Sequence, residues 1–283
     1  MAELLKGSLA VEKITEEING KVELLKSKGV KPCLAILRVG ENPSDLSYER
    51  GVKKKAEPLG IDVSVRALPA QCSEVEFFDA LDELNRDSSV HGILMFRPLP
   101  KWIDEDKARN MIAPDKDIDG CSDASLGGIF VDRPVGYPPC TAEACIRILD
   151  AYGIDVKGKS VCVIGRSLVI GKPVSMMLLN RNATVTICHS RTEDISETAK
   201  KSDILVSCIG KLHYVTEDFT NENQTIVDVG INWNEKTGKI SGDVDFENVE
   251  KKVKAITPVP GGVGGVTSAV LLLHTVDACI KSL

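Results

Sequence analysis

Short apolar runs alternate with stretches of helical period along almost the whole chain, and this alternation constrains the fold more than any single motif. Val11, Ile14, Ile18, Val22 and Leu25 recur at the spacing of one helix face, so residues 9–28 read as a helix. Cys33 to Val39 is an apolar run closed by Gly40 and Pro43 and reads as a buried strand. Residues 47–59 read as a helix carrying Lys53, Lys54 and Lys55, 61–68 as an alternating strand, 74–85 as a helix and 90–96 as a second buried strand. A further series follows: a helix at 144–152, strands at 160–164, 184–188, 204–208 and 225–229, an apolar stretch at 255–259 and a closing helix at 267–280. Apolar strands separated by helices predict βαβ units and a largely parallel sheet. Pro98 to Thr141, between the two series, is rich in Pro, Gly and Asp and reads as a long loop, a length at which connections usually carry function. The domain division is expected near Cys140–Ala144.

Composition narrows the class. Of 283 residues, 43% are hydrophobic and 27% charged, enough apolar side chain for a sizeable core and too much for a disordered chain. The net charge of -6 argues against a dedicated nucleic-acid binder. No apolar run approaches the roughly 18 residues that span a bilayer, so no membrane partner is expected. The nine cysteines include no C-x-x-C pair and read as reduced thiols of a cytoplasmic protein. His91, His189, His213 and His274 lack ligand spacing with one another or with cysteine, so no metal site is expected.

Val161 to Pro173 reads VCVIGRSLVIGKP: a hydrophobic strand runs into Gly165, and a helix with Pro173 in an early turn follows Gly171. Glycines at a strand-to-helix turn let backbone approach a pyrophosphate, and the helix start supplies free N–H groups and a positive dipole end. The spacing G-R-S-x-x-x-G departs from G-x-G-x-x-G, and by itself is equally an ordinary βα turn. Arg166 lies within the loop. Ser190 and Arg191 follow the next strand, where an NAD site would show an acid for the ribose hydroxyls. A serine and an arginine there suit a 2′-phosphate and hence NADP, with NAD as the alternative if Arg191 pairs with a nearby acid such as Glu193.

With these residues in view, the segments ENPSDLSY, HGILMFRPLP, PDKDIDG, PPCTAEA, VIGRSLVIGKP, TICHSRT, VDVGIN, GDVDF and TPVPGGVG occur in the order and spacing of one family. The chain resembles the bifunctional methylenetetrahydrofolate dehydrogenase/methenyltetrahydrofolate cyclohydrolase family over nearly its full length. The resemblance implies an N-terminal α/β catalytic domain (residues 1–142, completed by 267–283) and a Rossmann-like dinucleotide-binding domain (143–266), with the C-terminal helix returning to the first domain. It implies a homodimer, tetrahydrofolate derivatives as substrates, and NADP- or NAD-linked oxidation of 5,10-methylenetetrahydrofolate followed by hydrolysis to 10-formyltetrahydrofolate. By position it implies that Tyr48 and Asp119 place the pterin ring and that Pro260, Gly261 and Gly262 let it approach backbone. It assigns dinucleotide contacts to Gly165, Arg166, Ser167, Ser190 and Ile231. Taken alone, Tyr48 also reads as a core aromatic and Asp119 as a turn former before Gly120.

Two departures bear on chemistry. The family's lysine, one helical turn after the tyrosine, is Val52 here, and the glutamine after its GILV-type strand is Phe96, followed by Arg97 where an apolar residue is usual. A third, Gly264-Gly265-Val266-Thr267 in place of GPMT, does not. Hydride transfer depends mostly on holding two rings in contact, whereas hydrolysis needs a group that moves protons. Valine and phenylalanine cannot move protons, so the expectation is an NADP-dependent dehydrogenase whose cyclohydrolase activity is weak or absent. The alternatives are a fully bifunctional enzyme in which Lys53 substitutes, a shikimate-type or amino-acid dehydrogenase of similar plan, and a folate- or dinucleotide-binding protein without catalysis.

Overall fold

In the computed structural model, which describes residues 2–283, the chain opens with β1 (Glu3–Leu4), α1 (Gly7–Ser27), β2 (Cys33–Val39), α2 (Pro43–Ala56), β3 (Asp62–Leu68), α3 (Glu74–Arg86), β4 (Gly92–Met95), α4 (Glu105–Met111) and α5 (Asp123–Phe130). It continues with α6 (Cys140–Ala151), β5 (Ser160–Ile164), α7 (Gly171–Asn180), β6 (Thr184–Cys188), α8 (Ile195–Lys200), β7 (Ile204–Ser207), β8 (Thr225–Asp228), β9 (Asn232–Asn234), β10 (Lys239–Ser241), α9 (Phe246–Val249), β11 (Ala255–Ile256) and α10 (Val263–Lys281). Two compact units result. The first holds Ile14–Cys140 and Ser268–Leu283, the second the residues up to Lys13 and Thr141–Thr267.

The first unit is built on a three-stranded parallel sheet ordered β3-β2-β4. Ala35, Leu37, Ile93 and Met95 of its strands pack with Phe77 and Leu81 of α3 into one buried cluster. Local sequence sets the helix starts. The Asn42 side chain accepts the Ser44 N–H at 3.0 Å and Pro43 takes the first helical position, so α2 begins four residues before the apolar period suggests. Tyr48 therefore stands on the second turn of that helix. Ser73 and Glu76 close a capping box on α3. The stretch expected to be loop carries α4 and α5, begun by Asp104 and Ser122, whose side chains accept the N–H groups of Lys107 and Ser125. Both helices are too short to show an apolar period.

The second unit is a six-stranded parallel sheet ordered β1-β11-β8-β7-β5-β6, flanked by helices, with a separate antiparallel hairpin of β9 and β10. β5 lies between β6 and β7, so the chain order reverses there. Open sheets of this kind bind ligands at the carboxyl ends of the strands at that reversal. Residues up to Lys13 cluster with this unit rather than with the N-terminal domain expected from sequence, because Glu3 and Leu4 pair in parallel with Ala255 and Ile256. The last helix also begins earlier than its apolar period suggests, taking in Gly264 and Gly265, and from Ser268 onward its residues cluster with the first unit. By length and composition α10 could cross a membrane, contrary to the expectation of no such stretch, yet 72% of its apolar window is buried within the protein.

Candidate functional site

The candidate residues fall into two clusters, one in each unit. In the first unit, the turn PDKDIDG separates its acids by role. Asp117 is fully buried and acts as the turn former: its carboxylate accepts the N–H groups of Cys121 at 3.0 Å and Ser122 at 2.9 Å and the Ser125 hydroxyl at 2.6 Å. Asp119 is thereby released from local duty. Its carboxylate faces Arg97, with Nη2 to Oδ2 3.7 Å and the two side chains 23% and 30% exposed. The surrounding protein raises the Asp119 pKa to about 6: burial is the largest cause, the Asp117 charge adds to it, and Arg97 opposes both.

Tyr48 stands beside this pair. Its ring meets Phe96 at a centroid distance of 5.9 Å, and its hydroxyl bonds the Ser268 side chain. Burial first, and then the Asp119 charge, push its pKa well above the usual tyrosine range. Cys140 gives Asp119 a thiol partner and lies 3.8 Å from Nδ1 of His274. That nitrogen is 2.8 Å from the Ile118 carbonyl, and a carbonyl only accepts, so Nδ1 carries a proton. Tyr48, Phe96, Arg97, Asp119, Cys140, Ser268 and His274 thus form one polar cluster with an aromatic wall. The family resemblance named Tyr48 and Asp119 as candidates, and the structure places Cys140, Ser268 and His274, which were not named, beside them. The available signal was Ser268 and His274 at the two ends of the apolar run at residues 269–273.

The α2 lysines divide. Lys53 binds Glu49 at 2.6 Å, and Glu49 also accepts from Arg38 at 2.9 Å, so Lys53 belongs to an ion-pair network at the helix flank. Val52 is buried in the core. Lys55 lies seven residues after Tyr48, about two turns on and nearly on the same face. It makes no ion pair within 4 Å among the described residues. It exposes much of its surface, yet neighbouring protein lowers its pKa.

In the second unit, the turn after β5 is tight. Gly165 has φ of 130°, and a Cβ on Gly171 would lie 2.3 Å from the Gly165 carbonyl oxygen. A Cβ on Gly165 would meet the Cys208 carbonyl at 2.6 Å, which puts this turn beside the loop leaving β7, at the sheet's reversal. The Ser167 hydroxyl accepts the Ile170 N–H at 3.2 Å, and Arg166 and Ser167 are exposed on the loop's outer side. Ser190 and Arg191 are exposed after β6, and among the described residues no acid lies within 4 Å of Arg191, Glu193 included. His189 organises that turn: its Nδ1 accepts the Arg191 N–H at 3.2 Å. Ile231 exposes 65% of its surface. The Pro260–Gly262 segment follows a cis Val259–Pro260 bond, and Gly261, with φ of 106°, accepts the Gly7 N–H at 2.8 Å. A Cβ on Gly262 would lie 2.6 Å from the Pro258 carbonyl. These glycines fit a dinucleotide: they leave bare backbone at a helix start, with an unpaired guanidinium after the adjacent strand. No group of three or more His, Cys, Asp or Glu side chains that could hold a metal occurs among the described residues.

Comparison with known proteins matches both halves. Residues 5–119 match the tetrahydrofolate dehydrogenase/cyclohydrolase catalytic domain, and residues 139–283 match the NAD(P)-binding domain of the same family. The bifunctional protein FolD of Carboxydothermus hydrogenoformans is 48% identical over 280 residues, covering 99% of this chain and 98% of that one. The crystal structure of bifunctional FolD from Campylobacter jejuni superposes with a TM-score of 0.96 at 41% identity, covering 100% of both chains. The Trypanosoma brucei enzyme, complexed with NADP and an inhibitor, gives 0.91 at 33% identity over 99% of this chain and 98% of that one.

These matches correct one expectation. The chain spans the full length of relatives named as bifunctional, with both family domains present, which overturns the expectation that cyclohydrolase activity is weak or absent. That expectation rested on two side chains, at positions 52 and 96. It gave no weight to the polar groups that folding gathers from α2, the turn at Asp119, α6 and α10. The chain belongs to the bifunctional methylenetetrahydrofolate dehydrogenase/cyclohydrolase (FolD) family.

Proposed function

We propose that this protein oxidises 5,10-methylenetetrahydrofolate to the 5,10-methenyl cation with NADP and hydrolyses that cation to 10-formyltetrahydrofolate. The observation that carries the reading is the match of both family domains along a chain that covers its bifunctional relatives from end to end. Asp119 offers carboxylate oxygens to the paired N–H donors of the 2-amino-pyrimidinone edge of the pterin, a geometry that fixes ring orientation. Tyr48 and Phe96 form the apolar wall beside it. In the second unit, Gly261 and Gly262 leave backbone bare of side chains. NADP, when bound, takes the hydride. The turn from Gly165 to Gly171, with Arg166, Ser167, Ser190 and Ile231, holds the dinucleotide, and the unpaired Arg191 favours a 2′-phosphate over a bare ribose.

Oxidation needs little more than orientation. The departing hydride leaves a carbon flanked by two nitrogens, whose lone pairs stabilise the cation. Hydrolysis adds water to that carbon, sends one proton away, and breaks the bond to N5 as N5 gains a proton. The α2 lysine best suited to moving these protons is Lys55 rather than Lys53: among the described residues it has no ion-pair partner, it shares Tyr48's face, and its pKa is lowered. A helix side chain leans toward the N-terminus, so the Lys55 stem is directed back along that face.

A cytoplasmic homodimer completes the reading. All nine cysteines are free thiols, in keeping with a reducing compartment, and Trp233 and Ile240 expose apolar surface on the β9–β10 hairpin. Assaying both activities on one preparation, with NADP and NAD in parallel, tests the function. Activity confined to dehydrogenation, or a preference for NAD, overturns the corresponding half. Sedimentation of the protein as a monomer at micromolar concentration overturns the dimer.

A further inference from the structure

Arg97 is a half-buried cation in a site otherwise walled by Tyr48, Phe96 and the Cys140 thiol. Among the described residues its only ion-pair partner is Asp119. The nearby Asp117 does not need it, because local N–H and O–H donors already satisfy that carboxylate. At 3.7 Å the Arg97–Asp119 pair is close enough for strong Coulomb attraction but too long for a hydrogen bond. The carboxylate is therefore paired in charge while its oxygens keep their capacity to accept.

We propose that Arg97 is a positioning residue for substrate recognition: it holds Asp119 ionised without occupying its acceptor sites, and so sets the pH range over which the site takes a ligand edge bearing paired N–H donors. The inference rests on the reading above, in which that edge is the pterin of a reduced folate. Of the groups facing Asp119, Arg97 favours its charge most, with smaller help from the Cys140 thiol and His274. Asp117 and the surrounding burial oppose the charge, and Tyr48 and Cys121 are neutral at working pH, so Arg97 is the main group holding it. Without Arg97, the carboxyl group binds a proton at higher pH and presents a donor to a donor.

The test pairs a substrate-free measurement with a kinetic one. Carbon-13 NMR titration of the Asp119 carboxyl group is run on the wild type, R97L and R97K. The KM for methylenetetrahydrofolate is then followed from pH 6.5 to 8.5. In R97L the Asp119 titration moves up by about one pH unit or more. The KM at pH 6.5 rises about threefold or more and recovers by pH 8.5, while kcat stays within about twofold. R97K restores both, and a side chain that only supported the fold would not move the pH dependence. An unchanged Asp119 titration in folded R97L overturns the proposal. A shifted titration that KM does not follow overturns the assignment of Asp119 as the folate-reading carboxylate, and with it the substrate half of the inference.

Discussion

Asp228 and Asp243 hold one another's loops. The Asp228 carboxylate accepts the Asp243 N–H at 3.0 Å, along with those of Gly230 at 2.9 Å and Val244 at 3.0 Å. Asp243, fully buried, accepts the N–H groups of Ile209 at 2.9 Å, Gly210 at 3.2 Å and Lys211 at 2.8 Å, the Ser207 hydroxyl and the Asn232 amide. The loop leaving β7, beside the cofactor turn, is thus shaped by an acid that arrives from more than thirty residues downstream. Gly230 and Gly242 are required for the fit: a Cβ on either would lie 2.3 Å or less from one of the two carboxylates.

Replacing Asp243 by alanine leaves this loop's donors without an acceptor. The expected cost is roughly 2–4 kcal/mol of stability, because several donors lose one shared partner at once. Hydrogen exchange at Ile209, Gly210 and Lys211 should accelerate well beyond that of β5, and the KM for NADP should rise. Unchanged protection at those amides would show that the loop holds itself.

The pH dependence of stability should carry an Asp228 signature. Burial, its largest cause, raises the Asp228 pKa from the ordinary carboxylate range to about 7, and the Asp243 charge adds to this against the backbone donors. The folded state therefore holds the proton more tightly than the unfolded chain. The resulting stability is fully present below pH 4 and is lost as pH rises through about 7. In urea titrations from pH 5 to pH 8, the advantage of the wild type over D228N should shrink with rising pH. An advantage that grows instead would mean that Asp228 is ionised throughout.

Gly171→Ala should damage cofactor binding selectively. The added methyl would sit 2.3 Å from the Gly165 carbonyl oxygen, so the turn must open. The KM for NADP is expected to rise about tenfold or more, consistent with loss of a well-placed phosphate cradle. Folate binding, measured by fluorescence in the absence of NADP, should be little affected.

The α2 lysines can be separated by paired substitutions. K55A should reduce cyclohydrolase turnover about 100-fold while dehydrogenase turnover falls less than about threefold, the size of effect associated with losing one proton-transfer group. K53A breaks only the ion pair with Glu49, and should shift stability by no more than about 1 kcal/mol. Full hydrolysis in K55A would remove Lys55 from the mechanism.

The sequence by itself determined the class and the longer elements, but not α4 and α5, which are too short to show a period. Strand and helix periods are local properties, so the βαβ series and the glycine turn after β5 were legible before any folding, while Tyr48 and Asp119 were named as candidates only through the family resemblance. The Asn42-Pro43 cap, not the apolar period, set where α2 begins and hence which turn carries Tyr48. Tertiary structure alone decided what surrounds these residues. Asp117 took the turn-forming role that sequence had offered to Asp119, because only in the fold do Cys121, Ser122 and Ser125 point their donors at it. Arg97, Cys140, Ser268 and His274 come from segments up to about 180 residues apart, and no local pattern records that they meet. Position 52 looked decisive in one dimension because a single side chain was missing there. In three dimensions, charge and hydrogen bonding depend on every group within a few ångströms, whatever its place in the chain.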